Sequence, residues 1–557
     1  MASSPSDQLP PELWLLILDY IEPLDISNLS RVSRNLRQLC LDPLLWRRHC
    51  FLNSAWRDSL KKRRRSSGPR PLGQDIANWD PVYPGERVSW YTEYIQRHGP
   101  TSVNWLQTPQ GHHGMAEARG LALYHPTGHA VLAVSPLDDG SICLWDVKGT
   151  RVKQGAILAR SEQGLLIRDS RRPPHDEIGI NEAISVDSSN HRAFIAAQHR
   201  IVEMDLNCLQ VASETSFDRS ITALSTIQAG VPLTVGTSSG LRLYDPRDRP
   251  RMPQSIVERL DGGSDELNTR RMAKLQLSTS RNWDSQAPLS ILHLPSLVSP
   301  HLVTNDIFVA GRFPSILHCD RRKLPEIMES MYSGADIKSI AALACRFPTV
   351  EHSKRRKGQL SVSRAAEIKE SCPGQTLIAG GSYSSKGSLE MYGLDLGVSP
   401  PIATAGFVNR QNAAPATIFS VINHGTKIAF SDGAGFVRWF ERDGSTEIRR
   451  LRIGNCSAGD ADSLFPSSRA AAEDLALKIL STGGSETRDS DEIVFWTGER
   501  LGMIGFTPQA LFHASDFEAQ SRQMSAEEEE REKYTSEMRR AIGQEADAVR
   551  FLNHFQL

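Results

Sequence analysis

The first fifty residues carry apolar positions at the spacing of α-helices. Residues 9–21, LPPELWLLILDYI, open with two prolines, and Glu12 lies near the positive end of the helix dipole, so a helix is predicted from about Pro11. Its interior is apolar nearly all the way round rather than along one stripe. A helix of this kind must be covered on more than one side.

Two further short helices are predicted before residue 51. Asp25 to Asn28 supply capping side chains for a second helix that begins near Asp25, and apolar residues recur at helical spacing as far as Leu39. Residues 42–50, DPLLWRRHC, form the third helix. Three short helices bury too little surface to keep this many large apolar side chains from water. Either the rest of the chain covers them, or a partner protein does.

Residues 9–50 as a whole resemble an F-box. The segment matches the motifs of that family without a gap: Leu-Pro-x-Glu at Leu9, Pro10 and Glu12, then Ile17 and Leu18, the turn at Pro23 and Asp25, the segment Leu29 to Arg34, and Asp42, Pro43 and Trp46. In that family the helices dock on a Skp-type adaptor, which tethers the chain to a cullin scaffold. The resemblance implies the same partners for this chain.

The F-box resemblance also implies which side chains line the contact with the Skp-type adaptor. They are Leu9, Pro10, Glu12, Ile17, Leu18, Ile21, Leu29, Val32, Ser33 and Leu36. The alternative is a helical cap on the following domain, with the same residues as ordinary core. The two readings differ in whether the chain itself encloses Ile17, Leu18 and Val32.

Residues 118–508 repeat a pattern of short apolar strands and tight turns. Residues 120–147 form three strands separated by Pro-Thr-Gly and Asp-Asp-Gly, which is the pattern of a propeller blade. With Leu144-Trp145-Asp146-Val147, this unit is similar to a WD repeat. The sequence therefore predicts a mainly β fold, a divergent WD-repeat-like β-propeller of about seven blades after a three-helix F-box module. The blade anchors are Trp145, Met204, Tyr244, Cys319, Tyr392, Trp439 and Gly505.

The anchors are spaced more loosely than in regular repeats of this type. Insertions at Arg151–Asp176, Arg249–Ala287 and Thr349–Pro373 explain the excess. One predicted blade has Trp-Asp and none has a well-placed Gly-His. Because these residues mark each regular blade of the family, their absence leaves the predicted number of blades uncertain by one. An all-β sandwich or two smaller β domains is the alternative. Residues Ser102 to Gln107 are predicted to supply an outer strand that closes the ring with the last blade and removes its exposed edges.

Changes in composition divide the chain. We expect an F-box helical module at residues 1–56, a basic linker with a connecting helix at 57–100, the propeller at 101–510 and a C-terminal helical tail at 511–557. The tail is predicted to be helical from about Ala526, either packed on the propeller or bound to a partner.

A run of cations marks the predicted linker. The composition of residues 57–70 is typical of a solvated, mobile hinge. Within it, a candidate nuclear import signal consists of Lys61, Lys62, Arg63, Arg64 and Arg65, and a weaker candidate lies at Lys354 to Lys357.

The overall composition limits the possible binding partners and cellular compartments of the protein. Lys and Arg number 64 and Asp and Glu 65, a net charge of -1, so no global field draws the chain to nucleic acid or an anionic membrane. The 8 cysteines are scattered without a Cys-x-x-Cys pair, which predicts reduced thiols and a cytoplasmic or nuclear location. No apolar run approaches the roughly 20 residues that span a bilayer, and no secretory signal is expected.

The sequence contains no motif that indicates catalysis or cofactor binding. His112 and His113 are adjacent, so their side chains point in different directions, and no other ligands accompany them; a metal site is not predicted. Asp138-Asp139-Gly140 and Asp432-Gly433 are typical of turns. The sequence therefore predicts no catalytic residues, metal site or cofactor.

Together these features predict a non-catalytic substrate-recognition adaptor of a cullin-type ubiquitin ligase. The F-box would hold the Skp-type adaptor, and the propeller would bind a target protein whose identity the sequence does not reveal. One alternative is a ligase-independent propeller scaffold. Another is a propeller enzyme or ligand binder with a helical cap, which requires carboxylates or histidines that converge on the central channel.

Overall fold

The computed structural model describes most of the chain. The described residues are 9–63, 70–111, 114–126, 130–150, 152–167, 180–228, 230–238, 240–247, 287–296, 302–324, 326–344, 349–371, 374–395, 402–454, 475–483, 491–512 and 515–518. Residues 1–511 form one compact unit, and residues 512–557 form a second. In the second unit a short helix covers Ser515–Glu518. The predicted helix from Ala526, the histidines His112 and His113, and Arg64 and Arg65 lie outside the described residues.

Seven antiparallel sheets follow one another along the chain and form the blades of a β-propeller. Inner strands of successive blades, from the first to the seventh, contact each other. This confirms the predicted propeller, with seven blades. Blade 1 contains Ala122–Tyr124, Val131–Pro136, Ile142–Lys148 and Ile157–Arg160; blade 2 contains Ile180–Asp187, Arg192–Ala197, Arg200–Asp205 and Gln210–Ser216; blade 3 contains Ile221–Leu224, Leu233–Thr237 and Gly240–Tyr244.

The remaining blades each have four strands. Blade 4 contains Pro288–Pro295, Val303–Gly311, Phe313–Asp320 and Ile327–Tyr332; blade 5 contains Asp336–Leu343, Gln375–Tyr383, Lys386–Asp395 and Ile402–Ala414; blade 6 contains Ile418–His424, Lys427–Asp432, Phe436–Glu441 and Glu447–Arg452; blade 7 contains Lys478–Ser481, Ile493–Trp496, Leu501–Gly505 and Ser102–Trp105. A hairpin outside the blades pairs Gln110–Gly111 with Gly114–Met115. Each of the seven predicted anchors lies in the third strand of its blade.

Blade 7 closes the ring as predicted. Its outer strand, Ser102–Trp105, precedes the propeller in sequence and pairs antiparallel with Leu501–Gly505, so that Ser102 lies opposite Gly505. The indole nitrogen of Trp496 donates to the carbonyl of Ala118 at 2.8 Å, which joins blade 7 to the segment that leads into blade 1. Closure of this kind joins the last blade to the first, so the ring has no open end.

The core lies between neighbouring blades. Val134 and Leu144 of blade 1, for example, pack in one buried cluster with Ile195 and Met204 of blade 2. Tight turns join the strands within each blade: Gly140 and Gly435 have φ values of 78° and 79°, which glycine adopts without strain. The apolar alternation of the strands thus supplies the interior of a propeller without the repeated Trp-Asp signature.

Helices precede the propeller and interrupt blade 5. Among the described residues they are α1 (Pro11–Leu18), α2 (Pro23–Leu29), α3 (Arg34–Cys40), α4 (Pro43–Leu52), α5 (Ala55–Arg63), α6 (Leu72–Trp79), α7 (Trp90–His98), α8 (Thr349–Arg356), α9 (Val362–Ser371) and α10 (Ser515–Glu518). The predicted insertion at residues 349–373 therefore contains α8 and α9. It connects the first and second strands of blade 5.

Two local predictions about the N-terminal helices are wrong. The second predicted helix is split into α2 and α3, because Ser33 leaves the helical conformation and its side chain accepts the backbone N–H of Leu36 at 3.2 Å. The part of the predicted mobile linker that the structure describes is helical to Arg63, since Trp56 and Leu60 of α5 lie four residues apart and are buried together.

The backbone of blade 5 predicts a steric test of the propeller. A Cβ atom at Gly381 would overlap the backbone oxygen of Asp336, so we expect Gly381→Ala to destabilise the protein by about 1–3 kcal/mol, measured by urea unfolding. Gly73 of α6 has no atom within 4 Å of its Cβ position, so Gly73→Ala is the matched control. The control should leave the protein as stable or slightly more stable. Equal losses from both substitutions would contradict this packing.

Candidate functional site

The N-terminal helices expose a group of large apolar side chains. The exposed fraction is 58% for Leu16, 42% for Ile17 and 71% for Val32. Helices α1 and α2 both contact α3, so these residues belong to one small module. Single exposed apolar residues are common, but many within one module indicate a surface that another protein covers.

Helix caps set the shape of this module. Proline occupies the first turn of α1, α2 and α4, where the missing N–H is not needed. Asp42 accepts the backbone N–H groups of Leu44 at 2.8 Å and Leu45 at 3.1 Å, which fixes the start of α4. Short capped helices turn the chain repeatedly, so no single helix can bury all of its apolar sides.

The ten predicted contact residues fall into three groups by burial. Leu9, Pro10, Glu12, Ile17, Val32 and Ser33 are exposed. Ile21 and Leu29 are half-buried against the core of the module. Leu18 is 0% exposed and Leu36 is 9% exposed, so in this structure these two side chains pack the interior of the module instead of lining its surface.

Further exposed apolar residues adjoin the predicted set. They are Leu13, Leu16, Tyr20, Leu24, Leu41 and Leu44. The sequence carried a signal for those on α1, because that helix is apolar on all sides and only one side can face the core. The signal did not distinguish which side that is.

An aromatic core determines which side of the module is exposed. Trp46 of α4 is buried, donates its indole N–H to the carbonyl of Cys40 at 2.6 Å and packs against Tyr91 and Tyr94 of α7. Leu18 of α1 is buried in the same cluster. The inner side of the module therefore packs on α7 and the outer side remains open.

A buried ionic cluster joins α7 to blade 6. Glu93 accepts hydrogen bonds from Arg97 at 2.7 Å and from Lys427 at 2.8 Å. Arg97 also binds both oxygens of Glu441, at 2.7 and 3.1 Å. The four charged side chains are at most 4% exposed. Two cations and two carboxylates balance one another in the interior, as buried charges require.

Neutral groups complete the hydrogen bonding of this cluster. Lys427 donates to the side-chain oxygen of Gln96 at 2.8 Å, and the indole of Trp79 donates to Glu441 at 2.9 Å. Burial disfavours charge on Glu93, but Lys427 and Arg97 outweigh it and hold the pKa of Glu93 well below its usual value. Glu93 therefore stays ionised inside the protein.

A second ion pair ties the segment before α7 to the same blade. Arg442 binds both oxygens of Glu86 at 2.7 Å, donates to the carbonyl of Gly425 at 2.7 Å and lies over the ring of Tyr83. Bidentate arginine pairs of this type are directional. The helical module and the propeller are thus held in one orientation by contacts on blade 6.

These contacts also assign the two faces of the propeller. Helix α7 meets the turn at 425–426, which joins the first and second strands of blade 6. Turns between second and third strands lie at the opposite end of the blades, and those that are described include 137–141, 198–199, 312, 384–385, 433–435 and 497–500. Asp432 organises one of them by accepting the backbone N–H groups of Ala434 and Phe436.

Within the described ranges, no three His, Cys, Asp or Glu side chains are grouped in a way that could hold a metal ion. No described helix is both long and apolar enough to cross a membrane. Asp146, in the Trp-Asp pair of blade 1, is buried and accepts the hydroxyl of Thr150 at 2.6 Å, a contact within its own blade.

Comparison with known proteins identifies the N-terminal module. Residues 6–52 match the F-box-like family. The chain is 32% identical over 101 residues to the F-box/WD repeat-containing protein 7 of Drosophila melanogaster; the match covers 18% of this chain and 7% of that protein's length. Helices α1 to α4 thus form an F-box-like domain. The combination defines a protein with an F-box-like domain followed by a seven-bladed propeller.

Solved structures also align with this chain. The β-propeller domain of Myceliophteria thermophila Cps50 (Swd1) aligns with a TM-score of 0.42 at 10% identity, over 72% of this chain and 99% of that chain. The assignment of seven blades comes from the strand pairing of this chain itself.

The buried cluster predicts a large effect of one isosteric substitution. Glu93→Gln leaves Lys427 and Arg97 short of a buried carboxylate, so we expect a loss of about 3–5 kcal/mol in unfolding free energy, measured by chemical denaturation. Glu367→Gln is the control, because that carboxylate pairs with Arg364 on the surface and should change stability by about 1 kcal/mol or less. Equal losses would contradict the role of the cluster.

The lowered pKa of Glu93 also predicts the acid response of the protein. The unfolded chain has a glutamate pKa of roughly 4.3, so the cluster contributes its full stability above that pH and loses it as the pH falls further. Unfolding free energies across the acid range should fall less steeply in Glu93→Gln than in the native protein. If the unfolding free energies of the two proteins fell equally steeply with decreasing pH, Glu93 would not be the source of the acid sensitivity.

Proposed function

We propose that this chain is a substrate-recognition adaptor of a cullin-type ubiquitin ligase. The observation that carries the proposal is the exposed apolar face of the F-box-like domain, with Ile17 and Val32 open to solvent. In F-box proteins the corresponding helices bind a Skp-type adaptor. The face has the apolar character of a contact that needs a partner to exclude water.

The proposed mechanism is positioning rather than bond making. The F-box-like domain binds the Skp-type adaptor and through it a cullin, while the propeller binds the target protein through the face opposite α7. The buried contacts on blade 6 keep these two surfaces in a constant relation. A target held in this way experiences a high effective concentration of the transfer machinery, and other subunits perform the ubiquitin transfer.

The proposed adaptor surface consists of the exposed and half-buried members of the predicted set. Leu13 and Leu16 extend it along α1. Leu18 and Leu36 support the surface from beneath, since they are buried in the module. Their replacement would act through folding of the domain and not through a lost contact.

The location of the protein is proposed to be the cytoplasm, the nucleus or both. Lys61 and Lys62 at the end of α5 are exposed, whereas Arg63 is half-buried beside Trp56. An import receptor could reach the first two cations in this structure. Imaging of a fluorescent fusion, with Lys61 and Lys62 changed to Ala, tests whether they direct import.

A paired substitution tests the adaptor surface. Ile17→Asp with Val32→Asp places two charges on the exposed apolar face, so we expect binding to a purified Skp-type adaptor to weaken at least about thirtyfold. Cullin should be lost from pull-downs, and other partners should remain. Val362→Asp is the control, because Val362 is also exposed, at 55%, but lies on α9.

The same experiment separates the rival functions. Adaptor binding without cullin in the native protein would favour a ligase-independent scaffold. If the variant with both Ile17 and Val32 changed to Asp bound the adaptor as tightly as the native protein, the proposed binding surface would be wrong. An unchanged cooperative melting transition in the variant shows that the propeller remains folded, so that a lost interaction is assigned to the surface.

A further inference from the structure

A partly open cavity of about 50 Å³ lies where the linker helices, the blade 5 insertion and blade 6 meet. Trp56 of α5 and Trp79 of α6 contribute apolar walls, and Arg355 and Arg356 of α8 contribute charge. By this measure of volume one water needs about 10–15 Å³, so the cavity holds several waters or a group of similar size. None of the residues that line it belongs to the proposed adaptor surface.

Two arginines of α8 at this cavity make no hydrogen bond to a carboxylate in the described structure. Arg355 donates to the backbone carbonyls of Asn78, at 2.6 Å, and Asp80. The Nε atom of Arg356 is 3.8 Å from the carboxylate of Asp443, which is too far for a hydrogen bond. Asp443 is already occupied, because it accepts two backbone N–H groups and the hydroxyl of Thr446 in its own turn.

A third guanidinium adds to the charge. Arg63 at the end of α5 lies 5.8 Å over the ring of Trp56. Burial lowers the pKa of Arg63, and Arg356 lowers it further, so the two cations oppose each other. His352 of α8 lines the cavity between them, and burial lowers the pKa of this histidine to about 4, so it is neutral near pH 7.

The remaining cations of the cavity have partners. Lys369 is 3.0 Å from Asp80, and Arg442 binds Glu86. Glu441 forms an ion pair with Arg97 in the buried cluster. Asp443 is the carboxylate that attracts both Arg356 and Arg63, so its single negative charge is shared between these two cations.

Three buried guanidinium nitrogen atoms of Arg63 and Arg356 lack a hydrogen-bond acceptor among the described residues. The Nε and Nη2 atoms of Arg63 and the Nε atom of Arg356 are inaccessible to solvent and have no hydrogen-bond partner in the described structure. Such groups are costly to leave unsatisfied, most of all when charged. An oxyanion would neutralise the excess positive charge, accept hydrogen bonds from the unsatisfied N–H donors and fill the free volume. Guanidinium groups bind phosphate with matched geometry and remain charged at all accessible pH values.

We propose that this cavity binds the phosphate group of a small molecule, or free phosphate, between Arg355 and Arg356, with Arg63 as a further cation beside it. A phosphomonoester carries about -1.5 to -2 charges near pH 7, which matches the excess of guanidinium charge. The ligand would contact α8, next to Trp56 of α5 and the turn of blade 6. Its binding would strengthen the junction that orients the F-box-like domain on the propeller.

Calorimetric titration of the full chain with inorganic phosphate tests the site, in buffers whose ionic strength is matched with chloride. We expect saturable binding that Arg356→Gln weakens about tenfold to a hundredfold, the usual effect of losing one charged hydrogen-bonding group. A sugar phosphate is the second arm, and tighter binding than that of phosphate identifies a small organic ligand. The melting temperature of ligand-free Arg356→Gln should equal or exceed that of the native protein, because one of two opposed cations is removed.

Arg364→Gln is the matched control. Arg364 carries the same charge on α9 but pairs with Glu367 at 2.9 Å outside the cavity, so its replacement should leave phosphate binding unchanged. Equal weakening by both variants, or no saturable binding to the native protein, would overturn the proposal. Binding of a phosphoserine peptide that depends on Arg356, without binding of inorganic phosphate or the sugar phosphate, would overturn the small-molecule assignment. None of these measurements depends on the Skp-type adaptor.

Discussion

The architecture depends on a set of charges buried between α7 and blade 6. Glu93, Arg97, Lys427 and Glu441 are removed from water together, and each charge has a partner of opposite sign within hydrogen-bond distance. Such a cluster tolerates little displacement, because separating the partners would leave a charge unpaired in the interior. The relation between the helical domain and the propeller is therefore set by electrostatics as much as by apolar packing.

This attachment decides which surfaces are free. Helix α7 uses one side to meet blade 6 and the other to carry the aromatic core around Trp46. The outer side of α1 and the turn between α2 and α3 are left open, with Ile17 and Val32 exposed. At the propeller, the turns between second and third strands lie at the end of the blades away from α7. Two separate surfaces on one rigid body suit a protein whose proposed task is to hold one molecule near another.

The insertion in blade 5 adds a third element to the same junction. Leu360 is buried, and its backbone carbonyl accepts hydrogen bonds from Gln74 and Asn78 of α6. What composition alone describes as a polar, basic insertion is therefore a pair of helices that brace the linker. Its arginines, brought next to Arg63 of α5, produce the excess charge of the cavity. That arrangement joins residues nearly three hundred positions apart in sequence.

Local sequence patterns were sufficient to predict the F-box-like domain, the propeller, the third strand of every blade and the closing strand at Ser102. These patterns are capped apolar helices and apolar strands between tight turns, which can be recognised without knowledge of distant contacts. The three-dimensional structure was needed to show that Leu18 and Leu36 face inward, that residues 57–63 are helical and that Glu93 meets Lys427. Each of these depends on a partner far away in the chain, and burial by a distant neighbour leaves no periodic mark in the residues it covers.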